Sequence, residues 1–243
     1  MSNPYETQKL VDEYLLFHYA SAAEILPYGF GPADALNFAI RTVTKNADLN
    51  VPRKRALDLG CAVGRSSFEL SKFCDEVTGI DFSAAFVKAA ERIGDGEVLE
   101  YDRLEEAHLK TRLKAVLPEG SNPDHVTFET GDAMNLREDL GDFDIVHAAN
   151  LICRLPEPVK LLKRSPDLVR PGGTLILATP CTWLEEFTPK ENWPEGSTFD
   201  WLKEQLSPAF ALESKRDIPF LIRETARKFQ WTVSLGSVWT RKG

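Results

Sequence analysis

Residues 56 to 70, ALDLGCAVGRSSFEL, constrain the fold more than any other stretch, because they read as a buried strand, a glycine turn and the opening of a helix. Ala56, Leu57 and Leu59 form a short apolar run and Asp58 places a carboxylate at the strand's end. Gly60 and Gly64 flank a turn whose backbone must come close to a ligand. Ser66 and Ser67 offer hydroxyls and amides at the helix start. A dinucleotide enzyme would carry G-x-G-x-x-G here, with a pyrophosphate on the helix N-terminus. In this chain the middle glycine is Ala62, and Gly64 runs into Arg65-Ser66-Ser67 without a third glycine.

Two later stretches narrow the ligand. Val77 to Asp81, VTGID, predicts a second strand ending in a carboxylate about twenty residues on, the position from which an acid grips ribose hydroxyls. VTFET predicts a third strand, and the Gly131-Asp132-Ala133 that follows it is placed to hold an adenine edge. Phe82 would border or stack on the same ring, and Ser83 suits the N-cap of a helix over 84–93. The succession D-x-G-x-x-x-G, G-I-D, G-D-A resembles the class I S-adenosylmethionine methyltransferases. That resemblance implies a Rossmann-like α/β fold, with a mostly parallel seven-stranded sheet, helices on both faces and a helical cap. It also implies S-adenosyl-L-methionine as cofactor and S-adenosyl-L-homocysteine as product. The expected cofactor contacts are Asp58, Gly60, Cys61, Gly64, Arg65, Ser66 and Ser67 at the first turn, then Asp81, Phe82 and Ser83 at the second. Asp132, Ala133 and Met134 follow at the third, with Ala149, Asn150 and Tyr19 completing the set.

The 243 residues fit one domain, read as a cap over 1–50 and a core over 51–243. A formal charge of -8 argues against a nucleic acid partner, since phosphate-backbone binding is a basic-surface effect. The four cysteines form no C-x-x-C pair and the four histidines are dispersed, so no metal site is legible. No apolar run approaches the roughly 20 residues that span a bilayer, and the start lacks a signal-peptide pattern, so a cytoplasmic protein is expected.

Residues 5–26 read as one helix with Tyr14 and His18 four apart on a face beside Leu15 and Tyr19, a candidate lid over the pocket. A second helix over 33–45 leads into a linker over 46–52, and the polar 94–124 region predicts a surface helix near 104–117. DFDIVHAANL (142–151) predicts a fourth strand buried on both faces. Asn150 at its end should face the transferred methyl group, with capping of the next helix as the rival role. A helix over 156–170 stops at Pro171-Gly172-Gly173, before a strand over 174–179. The loop 180–193, with Trp183, Glu185, Glu186 and Phe187, leaves from the ligand side. Strands over 210–217 and 232–241 leave a connection, 218–231, expected to bring Arg223 and Glu224 back over the ligand face.

YLLFHYA (14–20), the glycine turn, IDFS (80–83), AANLICRLP (148–156), TWLEEFTPKENW and PFLIRETARKFQW together resemble the methyltransferase domain of ovothiol synthases. That resemblance implies 5-thiohistidine (mercaptohistidine) as acceptor and ovothiol A as product, with methylation at the ring nitrogen beside the side-chain carbon. It further implies a sulfoxide synthase domain or protein acting upstream. The reacting nitrogen needs a free lone pair, so a partner must accept from the other ring N–H; Asn150, His18, Glu185 and Glu186 are candidates, and Tyr14 joins Asn150 and His18 at the reacting centre. Arg223, with Arg154 or Arg227 as a substitute, is expected to fork the substrate carboxylate, and Glu185, Glu186 or Glu224 to hold its ammonium. Methylation of another small molecule such as histidine, or a non-catalytic cofactor-binding subunit, would share the cofactor stretches.

Overall fold

The computed structural model describes residues 4–48 and 53–243. The expected cap-to-core boundary and part of the 46–52 linker therefore lie outside the described residues. A 3-10 turn at Pro4–Glu6 is followed by α1 (Gln8–Tyr19), α2 (Ala22–Ile25) and α3 (Phe38–Thr44). Then come β1 (Arg53–Leu59), α4 (Arg65–Leu70), β2 (Cys74–Asp81), α5 (Ala84–Gly94), β3 (Leu99–Glu106), β4 (Leu109–Ala115) and β5 (Val126–Thr130). β6 (Phe143–Ala149), α6 (Pro158–Leu168), β7 (Val169–Thr179), α7 (Thr198–Leu206), β8 (Phe210–Arg223) and β9 (Phe229–Arg241) complete the order.

Seven strands form one sheet in the order β5-β2-β1-β6-β7-β9-β8, with β9 antiparallel to both neighbours and the first five parallel. This is the expected α/β class. β1 and β6 are buried over their last four and first six residues respectively, as strands covered on both faces must be. The chain leaves β1 towards β2 on one side and reaches β6 on the other. That reversal opens a crevice at the carboxyl ends of β1 and β6, where open parallel sheets bind ligands.

Five expectations change. The helix over 156–170 ends at Leu168, and β7 starts at Val169 and takes in Pro171-Gly172-Gly173. The single helix over 5–26 breaks at Ala20 because Ser21 starts a new one: its hydroxyl accepts from Glu24 N–H and its own N–H donates to the Glu24 carboxylate at 2.7 Å. The helix near 104–117 is the β3–β4 hairpin, turned at Ala107 (φ 50°). Leu109, Thr111, Leu113 and Ala115 alternate with polar residues, the two-residue period of a strand, and Leu99, Tyr101 and Ala115 are buried with Val11, Leu15 and Leu16 of α1. The connection 218–231 is largely strand, since the β8–β9 ladder runs on to Arg223↔Phe229. Pro219 does not break it, because β8 is the sheet edge and the Pro219 carbonyl faces Arg41 rather than β9. Helix α7, absent from the sequence reading, begins where the Ser197 hydroxyl accepts from Asp200 N–H, and it buries Leu202 and Leu206.

Candidate active site

The turn after β1 has Gly60 at φ +70°, Ala62 at φ 48° and Gly64 at φ +85°. A Cβ at Gly64 would lie 2.8 Å from Phe128 Cζ and 2.9 Å from Ala90 Cβ, so only glycine lets the turn approach β5 and α5 so closely. Asp81 ties this turn to the end of β2, accepting from Ala62 N–H at 2.9 Å through Oδ2 and from Ser83 N–H at 2.9 Å through Oδ1. Burial raises the Asp81 pKa, and those two N–H bonds oppose the rise. Each carboxylate oxygen keeps a lone pair for a further donor. Phe82, beside it, is 65% exposed. Ser83 caps α5 by accepting from Phe86 N–H and donates to Tyr5 O, while the Glu6 carboxylate accepts from the Ala84 and Ala85 N–H groups. At the end of β5, Asp132 Oδ1 accepts from Met134 N–H at 2.8 Å and Ala133 is buried. A left-handed turn, a ribose-height carboxylate with spare lone pairs and an exposed ring beside it fit an adenosyl cofactor.

Three expected contacts of the first turn face inward instead. Asp58 is 1% exposed, accepting from Ser67 Oγ at 2.6 Å and lying 2.7 Å from His147 Nδ1. Ser66 donates to Ala39 O. All three hold α4 and α3 against β1, because a carboxylate without solvent must find donors inside the protein. Cys61 is also buried, and its thiol pKa is pushed up by burial. Arg65 forks Glu69 at 3.0 and 3.1 Å and lies over the Tyr19 ring, while the Tyr19 hydroxyl donates to Val63 O at 2.6 Å. Tyr19 thus pins α1 to the turn.

From that pin, α1 packs on α5, on the β3–β4 hairpin and on β8. Tyr14 lies tilted against Phe86 at 4.5 Å and meets the ring of Tyr5, a residue the sequence reading passed over, edge-on at 6.1 Å. Tyr5 lies 6.3 Å from Phe187, whose ring is 5.0 Å beneath the Arg154 guanidinium. Arg154 further donates to Thr182 O at 2.9 Å. His18 lies beside Tyr14 and Phe17, has a buried Nδ1 without a partner, and is driven down to a pKa of about 4 by burial. Asn150, at the end of β6 next to Ala149, has φ 55°, and its Oδ1 accepts from Ser234 Oγ at 2.7 Å. Ser234 thus takes one lone pair of that oxygen and fixes the carboxamide, which keeps its second lone pair and its NH2 group. Asn150 caps no helix by its side chain.

Other expected substrate residues sit elsewhere. Arg223 is 4% exposed and donates to Glu24 O at 2.8 Å and to the Glu105 carboxylate at 2.5 Å, so its fork joins elements of the fold. Glu224 lies in the β8–β9 turn, bonded to Lys228 and Gln230. Trp183 donates to Thr198 Oγ1 and packs edge-on against Trp201, anchoring its loop to α7. Glu185 is exposed and paired with Lys190, and Glu186 is exposed. Among the described residues no group of three or more His, Cys, Asp or Glu side chains could hold a metal ion, and no helix is long and apolar enough to cross a membrane.

Comparison with known proteins agrees with this architecture. Ubiquinone biosynthesis O-methyltransferase of Coxiella burnetii is 25% identical over 126 residues, 52% of this chain and 43% of that protein. The protein of the same description from Xanthomonas campestris pv. campestris is 27% identical over 149 residues, 61% and 52% of the two chains. This chain thus spans about half the length of these curated relatives. Among solved structures, N-methyltransferase NodS of Bradyrhizobium japonicum in complex with S-adenosyl-L-homocysteine superposes with a TM-score of 0.55 at 13% identity, covering 96% of this chain and 99% of that one. A putative S-adenosylmethionine-dependent methyltransferase of Listeria monocytogenes gives 0.57 at 13% identity, covering 85% and 99%. At such identities these structures speak for the fold. The model of the methyltransferase-domain family matches residues 33–223, from a 3-10 turn at Ala33–Ala35 to the end of β8. With that match spanning the glycine turn, Asp81 and the whole parallel sheet, the chain belongs to the methyltransferase-domain family, in the class I fold whose methyl donor is S-adenosylmethionine.

Proposed function

We propose that the protein methylates the imidazole nitrogen of 5-thiohistidine that lies beside the side-chain carbon, giving ovothiol A. The observation that carries this reading is the Arg154 cluster: a half-buried guanidinium bonded to Thr182 and lying over Phe187, with Tyr5 packed between Phe187 and Tyr14. A planar fork there suits the carboxylate of an amino acid. The resemblance of AANLICRLP and TWLEEFTPKENW to ovothiol synthases points to the same acceptor, and Arg154 lies within the first of these.

S-adenosylmethionine, when bound, supplies an electrophilic methyl group on a cationic sulfur. Asp81 holds the ribose hydroxyls, Asp132 the adenine amino group, and the Gly60 turn the methionine end. Tyr5, Tyr14 and α1 cover both ligands and exclude water. His18 is neutral at pH 7, so its Nδ1 lone pair can accept from the ring N–H and leave the other nitrogen free to attack. Glu185 and Glu224 are paired with lysines, which leaves Glu186 for the substrate ammonium. Alignment at about 3 to 3.5 Å is the main contribution asked of the protein, worth roughly 7 to 11 kcal/mol. The thiol of the acceptor must already be in place, so a sulfoxide synthase domain or protein acts upstream, in the cytoplasm.

Mass spectrometry of reactions containing S-adenosylmethionine and either 5-thiohistidine or histidine tests the reading. N-methylated 5-thiohistidine is expected. Turnover of histidine alone would move the acceptor to the plain amino acid, and turnover of neither would remove the assignment.

A further inference from the structure

We infer that Ser234 is a positioning residue that makes Asn150 a hydrogen-bond donor to the acceptor's sulfur, so that sulfur is held and nitrogen is methylated. This rests on the 5-thiohistidine reading. Asn150 is fixed twice: its left-handed backbone donates to Ala178 O at 2.7 Å, and the fully buried Ser234 hydroxyl donates to its Oδ1 at 2.7 Å. A carboxamide whose oxygen is turned towards β9 presents its NH2 on the opposite side. Asn150 is half-buried, and its Nδ2 has no partner among the described residues. The next residue, Leu151, closes on the glycine turn, with Cδ1 only 3.1 Å from where a Gly60 Cβ would be. A donor therefore stands at the carboxyl end of β6, beside the turn that holds the methionine end.

A donor in that place cannot serve the attacking nitrogen, whose lone pair must stay free. It suits the thiolate, which sits on the ring carbon bonded to the other nitrogen. A charge-assisted bond to sulfur stabilises the anion, which lowers its reactivity, and turns it away from the methyl group. The ring nitrogen's lone pair then forms the N–C bond as the C–S bond to the methyl breaks, and the bonding pair remains on the donor sulfur. The acceptor keeps its other ring proton and its thiolate, so the product is an imidazolium thiolate and no added base is required. Histidine, lacking sulfur, forfeits this bond.

The test compares wild type with Ser234→Ala, Ser234→Thr and Asn150→Asp, reading KM and kcat for 5-thiohistidine and histidine, the ratio of N- to S-methyl product by NMR, and S-adenosylhomocysteine binding by calorimetry. Ser234→Ala should raise KM for 5-thiohistidine about tenfold, the loss of one charge-assisted bond. It should release S-methyl product, leave KM for histidine unchanged and still bind S-adenosylhomocysteine. Ser234→Thr, which keeps the hydroxyl, should restore the wild-type ratio, and Asn150→Asp, which sets a carboxylate against the thiolate, should exceed the Ala effect. If Ser234→Ala does not fold, Asn150→Asp decides alone. Wild-type KM and purely N-methyl product in both Ser234→Ala and Asn150→Asp would overturn the inference while leaving the acceptor reading intact. A wild type inert towards 5-thiohistidine would remove both.

Discussion

Arg223 Nη2 lies 2.5 Å from Glu105 Oε2, across 118 residues of sequence, and the arginine side chain is only 2% exposed. Its Nη1 donates to Glu24 O, and Glu105 is also paired with Arg103 at 2.6 Å. One guanidinium thus ties the end of β8 to the β3–β4 hairpin and to α2 of the cap. Removing one partner of a buried pair costs about 3–5 kcal/mol; because Glu105 is partly exposed and keeps Arg103, Arg223→Ala should cost nearer 2–3 kcal/mol. Denaturant unfolding measures this, and the folded variant should bind S-adenosylhomocysteine as wild type does. A stable variant with a raised substrate KM would return Arg223 to the substrate site.

Arg154 is half-buried over Phe187, and in the proposed function it holds the substrate carboxylate. Replacing it by lysine keeps the charge and loses both the fork and the flat contact with Phe187. A lost charge-assisted bond is worth about 1.5–3 kcal/mol, so the substrate KM should rise about ten- to a hundredfold with cofactor affinity nearly unchanged. Steady-state kinetics beside calorimetry separates the two constants. An equal fall in cofactor affinity would place Arg154 against the cofactor instead.

Asp81 should carry the ribose end of cofactor binding. Asp81→Asn preserves size and one acceptor but removes the charge and makes the other position a donor, which confronts either the Ala62 or the Ser83 N–H. S-adenosylmethionine affinity should fall by about 1.5–3 kcal/mol. Calorimetry that finds the affinity unaltered would exclude the ribose role.

The strand ends could be read directly because burial on both faces writes itself as short apolar runs, and because a turn that meets a ligand needs left-handed backbone at Gly60 and Gly64. The hairpin over 99–115 was hidden by its charges: Lys110, Arg112 and Lys114 mask the alternation of Leu109, Thr111, Leu113 and Ala115. Arg223 misled because nothing nearby in sequence marks its partners, Glu24 O and Glu105, as its destination. Ser234 lies 84 residues from Asn150, and His147 meets Asp58 only because β1 and β6 align them as register partners. Such side-chain commitments depend on strand order, which local spacing does not encode.

His18 supplies the pH dependence. Burial lowers its folded-state pKa to about 4, against about 6.5 in the unfolded chain, the nearby Arg65 acting in the same sense and Asp58 opposing it. Between these values the unfolded chain binds a proton that the folded chain does not, so the contribution of His18 is fully present above pH 6.5 and is lost as pH falls towards 4. Linkage gives a loss of about 2 kcal/mol between pH 7 and pH 5 from this one group. His18→Gln, which cannot titrate, should flatten the stability curve over that window by a similar amount, as urea unfolding at several pH values would reveal. Turnover by the wild type should hold level from pH 8 to pH 6 so far as His18 governs it, because a neutral imidazole is what the ring N–H needs. An imidazole NMR titration showing His18 protonated at pH 6 would defeat both expectations, since a charged ring has no lone pair with which to accept.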